Sequence, residues 1–249
     1  MIELKSPVEI EKMRAAGKIV AGTLELVKEE ARPGVSTLKL DKLAEEYIRS
    51  QGADPAFLNY QGFPATLCIS IDHEVVHGIP SDKRIVKEGQ LLSVDVGAKK
   101  DGYFGDAART LFIGEPDETV KKLLEVTQES LQRGIDQAII GNYLGDISFA
   151  VQEWAEANGF SVVRDLVGHG IGKKLHEEPQ VPNYGSPKSG VQLKEGMTLA
   201  IEPMVNIGGW MIKILNDNWT VVTKDGSLSA HFENTIAITK NGPEILTKL

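Results

Sequence analysis

The sequence predicts an α+β fold of two similar halves, in which helices cover one face of a curved, mainly antiparallel sheet. Three observations lead there. The order helix, helix, strands occurs twice along the 249 residues. Turn residues join neighbouring strand segments in both halves, as hairpins require. No Ser/Pro/Gly-rich linker or charge block divides the chain, which is long enough to bury a full core. Residues 1–249 therefore read as a single domain with halves of 1–115 and 116–249.

In the first half, Ser6-Pro7-Val8-Glu9 offers a capping box with proline at the first helical position. Ile10, Met13, Gly17, Val20, Leu24 and Val27 then recur at helical spacing until Arg32-Pro33-Gly34 stops the run. Ser36 or Thr37 caps a second helix, with Leu40, Leu43, Ala44, Tyr47 and Ile48 on its face and Gly52 at its end. Leu67 to Ile71 and Glu74 to His77 read as short strands beyond a Gly/Pro-punctuated loop. Leu91 to Ile113 reads as a hairpin with Lys99-Lys100-Asp101-Gly102 as its turn. A four-residue turn sets Asp95 directly opposite Asp106. Like charges so placed repel, and among apolar strand residues they share a proton or hold a cation. A lone Asp on a strand is ordinarily solvated; Val94 and Val96 around Asp95 favour burial and the cation.

The second half repeats the order. Pro116 and Asp117 open a helix carrying Val120, Leu123, Leu124, Thr127 and Leu131. Asp146 opens another with Ile147, Ala150, Val151 and Trp154, ending at Gly159. Strands follow at Thr198 to Asn206, Trp210 to Leu215, Trp219 to Thr223 and Leu228 to Thr239, the last two joined by a hairpin turn at Lys224-Asp225-Gly226. Gly168-His169-Gly170-Ile171-Gly172 reads as a loop whose glycines let the backbone turn sharply and leave the imidazole unshielded, with His176 seven residues on. Glu202 and Glu233 lie inside apolar, strand-forming stretches where an unpaired charge is costly. With Asp95, Asp106 and His169 they provide oxygen and nitrogen ligands enough for two divalent ions bridged by shared carboxylates.

Other chemistries are excluded or reduced. His73-Glu74-Val75-Val76-His77 matches the zinc-protease pattern HExxH, which works only on a helix; here a β-branched segment runs into Gly78-Ile79-Pro80, so the match is accidental. His77 stays a separate candidate. A net charge of −8 with scattered Lys and Arg makes nucleic acid an unsuitable main ligand. The acidic start lacks a signal-peptide core and no segment suits a membrane span, which predicts a cytoplasmic protein. The single cysteine, Cys68, rules out an internal disulfide and reads as a buried small side chain.

The ordered motifs VVHGIP (Val75 to Pro80), DVG (Asp95 to Gly97), DAART (Asp106 to Thr110), GHGIG (Gly168 to Gly172), HEEPQVPNY (His176 to Tyr184), IEP (Ile201 to Pro203) and HFENT (His231 to Thr235) give the chain its resemblance. It resembles, over essentially its whole length, the type I methionine aminopeptidases in their short bacterial form. The resemblance implies a pita-bread fold and removal of N-terminal methionine, from nascent proteins whose second residue is small, by water attack activated at two divalent ions (Co, Mn, Fe or Zn). Asp95 would chelate one ion, Asp106 and Glu233 bridge both, and His169 and Glu202 complete the other. Glu202 would act as general acid and base, His77 would hold or protonate the peptide nitrogen, and His176 would stabilise the oxyanion. Phe57, Tyr60, Phe63, Cys68 and Trp219 map onto the methionine pocket, while Leu166 and Leu175 stand where members often carry an aromatic. A monomer acting on nascent chains, with the ribosome as a candidate partner and no membrane, completes the implication. The alternatives are a proline-directed peptidase of the same fold, whose members usually carry a further N-terminal domain, whereas this chain begins almost at once with the catalytic half, and a metal-free peptide-binding relative.

Overall fold

The computed structural model describes residues 2–249. The first half comprises α1 (Pro7–Glu30), α2 (Thr37–Ser50), β1 (Asp54–Pro55), β2 (Leu67–Ile71), β3 (Glu74–Val76), β4 (Leu91–Lys100) and β5 (Tyr103–Phe112). After it come α3 (Glu118–Asp136), α4 (Leu144–Ala157), β6 (Ser161–Val162), β7 (Val167–Gly170), β8 (Glu177–Pro182), β9 (Thr198–Ile201) and β10 (Met204–Asn206). The chain ends with β11 (Ile212–Ile214), β12 (Val221–Thr223), β13 (Ser229–His231), β14 (Asn234–Thr239) and β15 (Gly242–Ile245). Pairing is antiparallel throughout the named strands: β4 lies between β5 and the end-to-end strands β1 and β2, and β8-β7-β9-β14-β15 form the largest sheet. Among the described residues no helix is long and apolar enough to cross a membrane.

Both helix starts of the first half follow from local sequence. The Ser6 hydroxyl accepts from Glu9 N–H and the Glu9 carboxylate accepts from Ser6 N–H, the reciprocal cap that the four-residue motif predicts. Ser36 caps α2 by accepting from Lys39 N–H. One face of β2, β4 and β5 packs Leu67, Ile69, Leu92, Val94, Val96 and Ala107 with Val20, Leu24, Leu40 and Ile48 of the two helices. Strand alternation sends their neighbours to the other face, and that face lines the cleft. Helix α1 crosses β5 where Gly17 meets Gly105: a Cβ on Gly105 would lie 2.8 Å from the Gly17 nitrogen, so glycine is required there. Helices α3 and α4 cover the second half over a separate core of Leu123, Ile147, Leu199, Val205 and Ile236.

Five expectations are corrected. The hairpin turn is two residues, Asp101-Gly102, both at positive φ (49° and 84°), the geometry of a type I′ turn. Asp95 therefore faces Ala108, and Asp106, which faces Gly97, is its diagonal neighbour on the same side. Helix α4 starts at Leu144; Asp146 is its third residue and reaches back to accept from Tyr143 N–H at 2.7 Å. Gly168-His169-Gly170 is strand β7, not a loop, and its glycines serve close approach: a Cβ on Gly168 would stand 2.4 Å from the Ala200 carbonyl. Lys224 to Gly226 is no hairpin, because β12 pairs with β11 and β3 while β13 pairs with β10. Finally, the strands around Glu202 and Glu233 are broken at those residues, where Pro203 has no N–H to give the ladder. Strands β1, β6, β7, β8 and β15 were not foreseen, being short or rich in Gly and Pro. The HExxH segment is, as expected, not helical: Glu74 to Val76 is strand β3, and the Glu74 carboxylate accepts from Ile71 N–H and pairs with Arg84.

Candidate metal centre and active site

The polar face of the β4–β5 hairpin carries Asp95, opposite Ala108, and Asp106, opposite Gly97. On the same side, Glu202 and Glu233 meet at the strand breaks. Ile201 faces Asn234 before the break and Met204 faces His231 after it, so the unbroken register brings Glu202 opposite Glu233. His169 comes from β7, whose neighbour β9 runs into Glu202. Five side chains from distant parts of the sequence thus converge.

Three of them form a group that could hold a cation. Asp106, His169 and Glu233 each place a ligand atom within 4.8 Å of the others, and all three are buried. His169 Nε2 stands 3.9 Å from Asp106 Oδ2 and 3.7 Å from Glu202 Oε1. Its Nδ1 donates to the Gly170 carbonyl at 2.9 Å, which fixes the tautomer and leaves Nε2 as a free lone pair aimed at the carboxylates. Asp95 Oδ1, Asp106 Oδ1 and Glu233 Oε1 are buried without a hydrogen-bond partner. Buried oxygens are ordinarily satisfied, so these fit a metal. The donor set, carboxylate oxygens with one imidazole, suits divalent ions of intermediate hardness.

Electrostatics agree with the crowding. Burial first, then the neighbouring carboxylates, pushes Asp106 and Glu233 well above the usual carboxylate range. Burial also raises Asp95, to about 7, and Glu202, to about 8. The histidines move the other way: burial, then His176, lowers His169 to about 3, and burial, then His231 and His176, lowers His77 to about 4. A neutral imidazole is what metal ligation needs.

All the residues that the sequence singled out line one cavity of about 230 Å³. Phe57, Tyr60, Phe63, Cys68 and Trp219 form its apolar wall beside Leu166 and Leu175, and Asp95, Asp106, His169, Glu202 and Glu233 its acidic floor. His77 and His176 line the same cavity. Phe63 meets Trp219 edge-on at 5.1 Å, and His176 meets His169 edge-on at 4.3 Å. Tyr60 hydroxyl lies 2.8 Å from His176 Nδ1. Cys68 is buried, and burial raises its thiol pKa, so it packs rather than reacts. Sequence reasoning passed over His231, whose Nε2 is 3.6 Å from Glu202 Oε2 and has no hydrogen-bond partner. Its place two residues before Glu233 was the available signal.

Comparison with known proteins is consistent along the whole chain. The profile of metallopeptidase family M24 matches residues 11–240. A methionine aminopeptidase of Clostridium acetobutylicum is 57% identical over 247 residues, 99% of each chain. The crystal structure of a methionine aminopeptidase from Thermotoga maritima superposes with a TM-score of 0.98 at 50% identity, covering 100% of both chains. A prolidase from Pyrococcus furiosus shares the fold at a TM-score of 0.80 and 27% identity; 99% of this chain covers 65% of that one.

Proposed function

The chain belongs to the methionine aminopeptidases of metallopeptidase family M24, and we propose that it removes the initiator methionine from proteins and peptides whose second residue is small. It is a metal-dependent aminopeptidase with the pita-bread fold of its relatives. The observation that carries the reading is a single cavity joining an apolar wall to unsatisfied buried carboxylate oxygens. Two divalent ions per chain, drawn from cobalt, manganese, iron or zinc, would be held by Asp95, Asp106, His169, Glu202 and Glu233. When bound, they supply Lewis-acid polarisation and compensate the clustered negative charge.

The chain's own residues do the rest. Glu202 accepts the proton of the attacking water and returns one to the leaving amine. His77 holds or protonates the scissile nitrogen. His176 donates to the oxyanion that develops on the carbonyl. The wall of Phe57, Tyr60, Phe63, Cys68 and Trp219 takes an unbranched thioether side chain, and the carboxylate floor restricts cleavage to a free amino terminus. Residues 1–249 act as one catalytic domain, monomeric and cytoplasmic, meeting nascent chains at the ribosome.

Release of methionine from a Met-Ala peptide, abolished by metal stripping and restored by manganese or cobalt, is the expected result. Cleavage of an Ala-Pro peptide in preference to Met-Ala would favour the proline-directed alternative, and full activity after stripping would sink the reading.

A further inference from the structure

We propose that Thr110 and Thr235 are positioning residues, a reciprocal pair of hydroxyl clasps that fix how far Asp106 and Glu233 stand from each other. This inference rests on the metal-centre reading above. The free edge of β5 runs beside the segment from His231 to Thr235, and the two are in antiparallel step: residue 106 lies beside 235, 108 beside 233, and 110 beside 231. Only the middle pair makes a direct backbone bond, from Glu233 N–H to the Ala108 carbonyl at 2.9 Å. At each end a threonine hydroxyl replaces the backbone. Thr235 Oγ1 accepts from Asp106 N–H at 2.9 Å and donates to the Asp106 carbonyl at 2.8 Å. Thr110 Oγ1 accepts from His231 N–H at 2.8 Å and donates to the His231 carbonyl at 2.9 Å.

The two clasps are mirror uses of one device. Thr110 belongs to β5 and grips the backbone of the facing segment; Thr235 belongs to that segment and grips β5. In each case one hydroxyl does what a backbone N–H and C=O would do in an ordinary ladder. A side-chain arm between two backbones holds them farther apart than direct pairing would. Asp106 sits on one of these rungs and Glu233 on the next, so the spacing of the two backbones sets the separation of their carboxylates. The Thr110 hydroxyl has no capacity to spare: its Oγ1 donates once, to His231, so Ser93 Oγ at 2.8 Å is its second donor. Both threonines are buried, so no water replaces them.

The guanidinium of Arg109, from the opposite face of β5, closes the middle rung. It donates to the Ala108 carbonyl at 2.7 Å, to the Glu233 carbonyl, and to Asn234 Oδ1 at 2.7 Å. The backbone bond and Arg109 thus hold the middle rung, and the hydroxyls hold the rungs on either side of it.

The test measures Mn²⁺ binding to metal-free protein by calorimetry, with unfolding of the same metal-free samples and methionine release from Met-Ala followed in parallel. Thr110→Val and Thr235→Val keep shape and lose the hydroxyl; each should weaken Mn²⁺ binding by about 10- to 100-fold, the usual effect of removing a group that orients a ligand. Thr110→Ser and Thr235→Ser keep the hydroxyl and should stay within about threefold of the parent. Thr127→Val, which removes a buried hydroxyl bonded only to the Leu123 carbonyl of its own helix, should leave binding unchanged and controls for general destabilisation. Folded valine variants that bind Mn²⁺ as tightly as the parent overturn the proposal. So does a tenfold loss in the serine variants, which remain informative where a valine variant fails to fold. A parent protein that binds no Mn²⁺ would instead overturn the metal-centre reading itself.

Discussion

His176 reaches the cavity with its ring already held: Nδ1 is 2.8 Å from the Tyr60 hydroxyl, and burial lowers its pKa. When Tyr60 donates to the neutral ring, the remaining proton sits on Nε2, the atom free to donate to a developing oxyanion. His176→Ala should therefore lower kcat by about 10²- to 10³-fold while metal content, measured by atomic absorption, stays at the parent's level. Tyr60→Phe, which removes only the orienting hydroxyl, should lower kcat by roughly 10-fold. A full rate for His176→Ala would remove it from the mechanism. Trp219 stands edge-on to both Phe63 and His77; as part of the proposed methionine wall, its replacement in Trp219→Ala should raise KM for Met-Ala more than it lowers kcat. At this scale the sequence was most legible, because ligands and catalytic groups are few chemical types in short ordered motifs. His231 escaped because a buried histidine in an apolar strand also suits a core.

Helix α1 is the element whose start is best encoded, and its cap does more than begin a helix. The Glu9 carboxylate accepts from Ser6 N–H, receives the Tyr103 hydroxyl at 2.8 Å, and lies 3.0 Å from Lys173 Nζ, so it ties α1 to the segment leading to His176. These donors, the Ser6 backbone first, hold the Glu9 pKa far below the ordinary carboxylate value. A carboxyl depressed in the folded state contributes stability above its unfolded pKa and loses it as pH falls. Glu9→Gln should thus melt lower than the parent at pH 7, and the difference should shrink as pH drops below about 4.5, the unfolded glutamate range. Ser6→Ala should cost about 1 kcal/mol, or about 2–4 °C in a chain of this size. A difference for Glu9→Gln that grows on acidification would contradict the linkage. Elements with such local signals were legible: α1, α2, α3, β2 and the β4–β5 hairpin. Those set by partners were not. Glycines in β7 look like a loop until Ala200 and Glu178 are packed against them, and the breaks at Glu202 and Glu233 follow from two strands changing neighbours between sheets, a long-range event with only Pro203 as its local trace.

Across the whole molecule, the carboxylate centre joins the two halves and opposes folding until it is filled. Asp95 and Asp106 come from the first half, and His169, Glu202 and Glu233 from the second. Without a cation, burial raises the pKa of all four acids, and neighbouring carboxylates add to it at Asp106 and Glu233; with one, the same groups become a cross-link. Binding restricted to the folded state adds about 2.7 kcal/mol at a free metal concentration a hundred times Kd. At about 2–4 °C per kcal/mol, the midpoint should rise by roughly 5–11 °C when Mn²⁺ is added to stripped protein. Asp106→Asn separates the two effects, since it keeps the shape, removes one charge and deletes a shared ligand. Its metal-free form should melt above the metal-free parent, its midpoint should not respond to Mn²⁺, and it should release no methionine from Met-Ala. Thermal melts with and without Mn²⁺ decide this: an Asp106→Asn midpoint that climbs with metal as the parent's does would move the ion away from the hairpin, and a metal-free midpoint below the parent's would mean that the carboxylate group favours folding on its own.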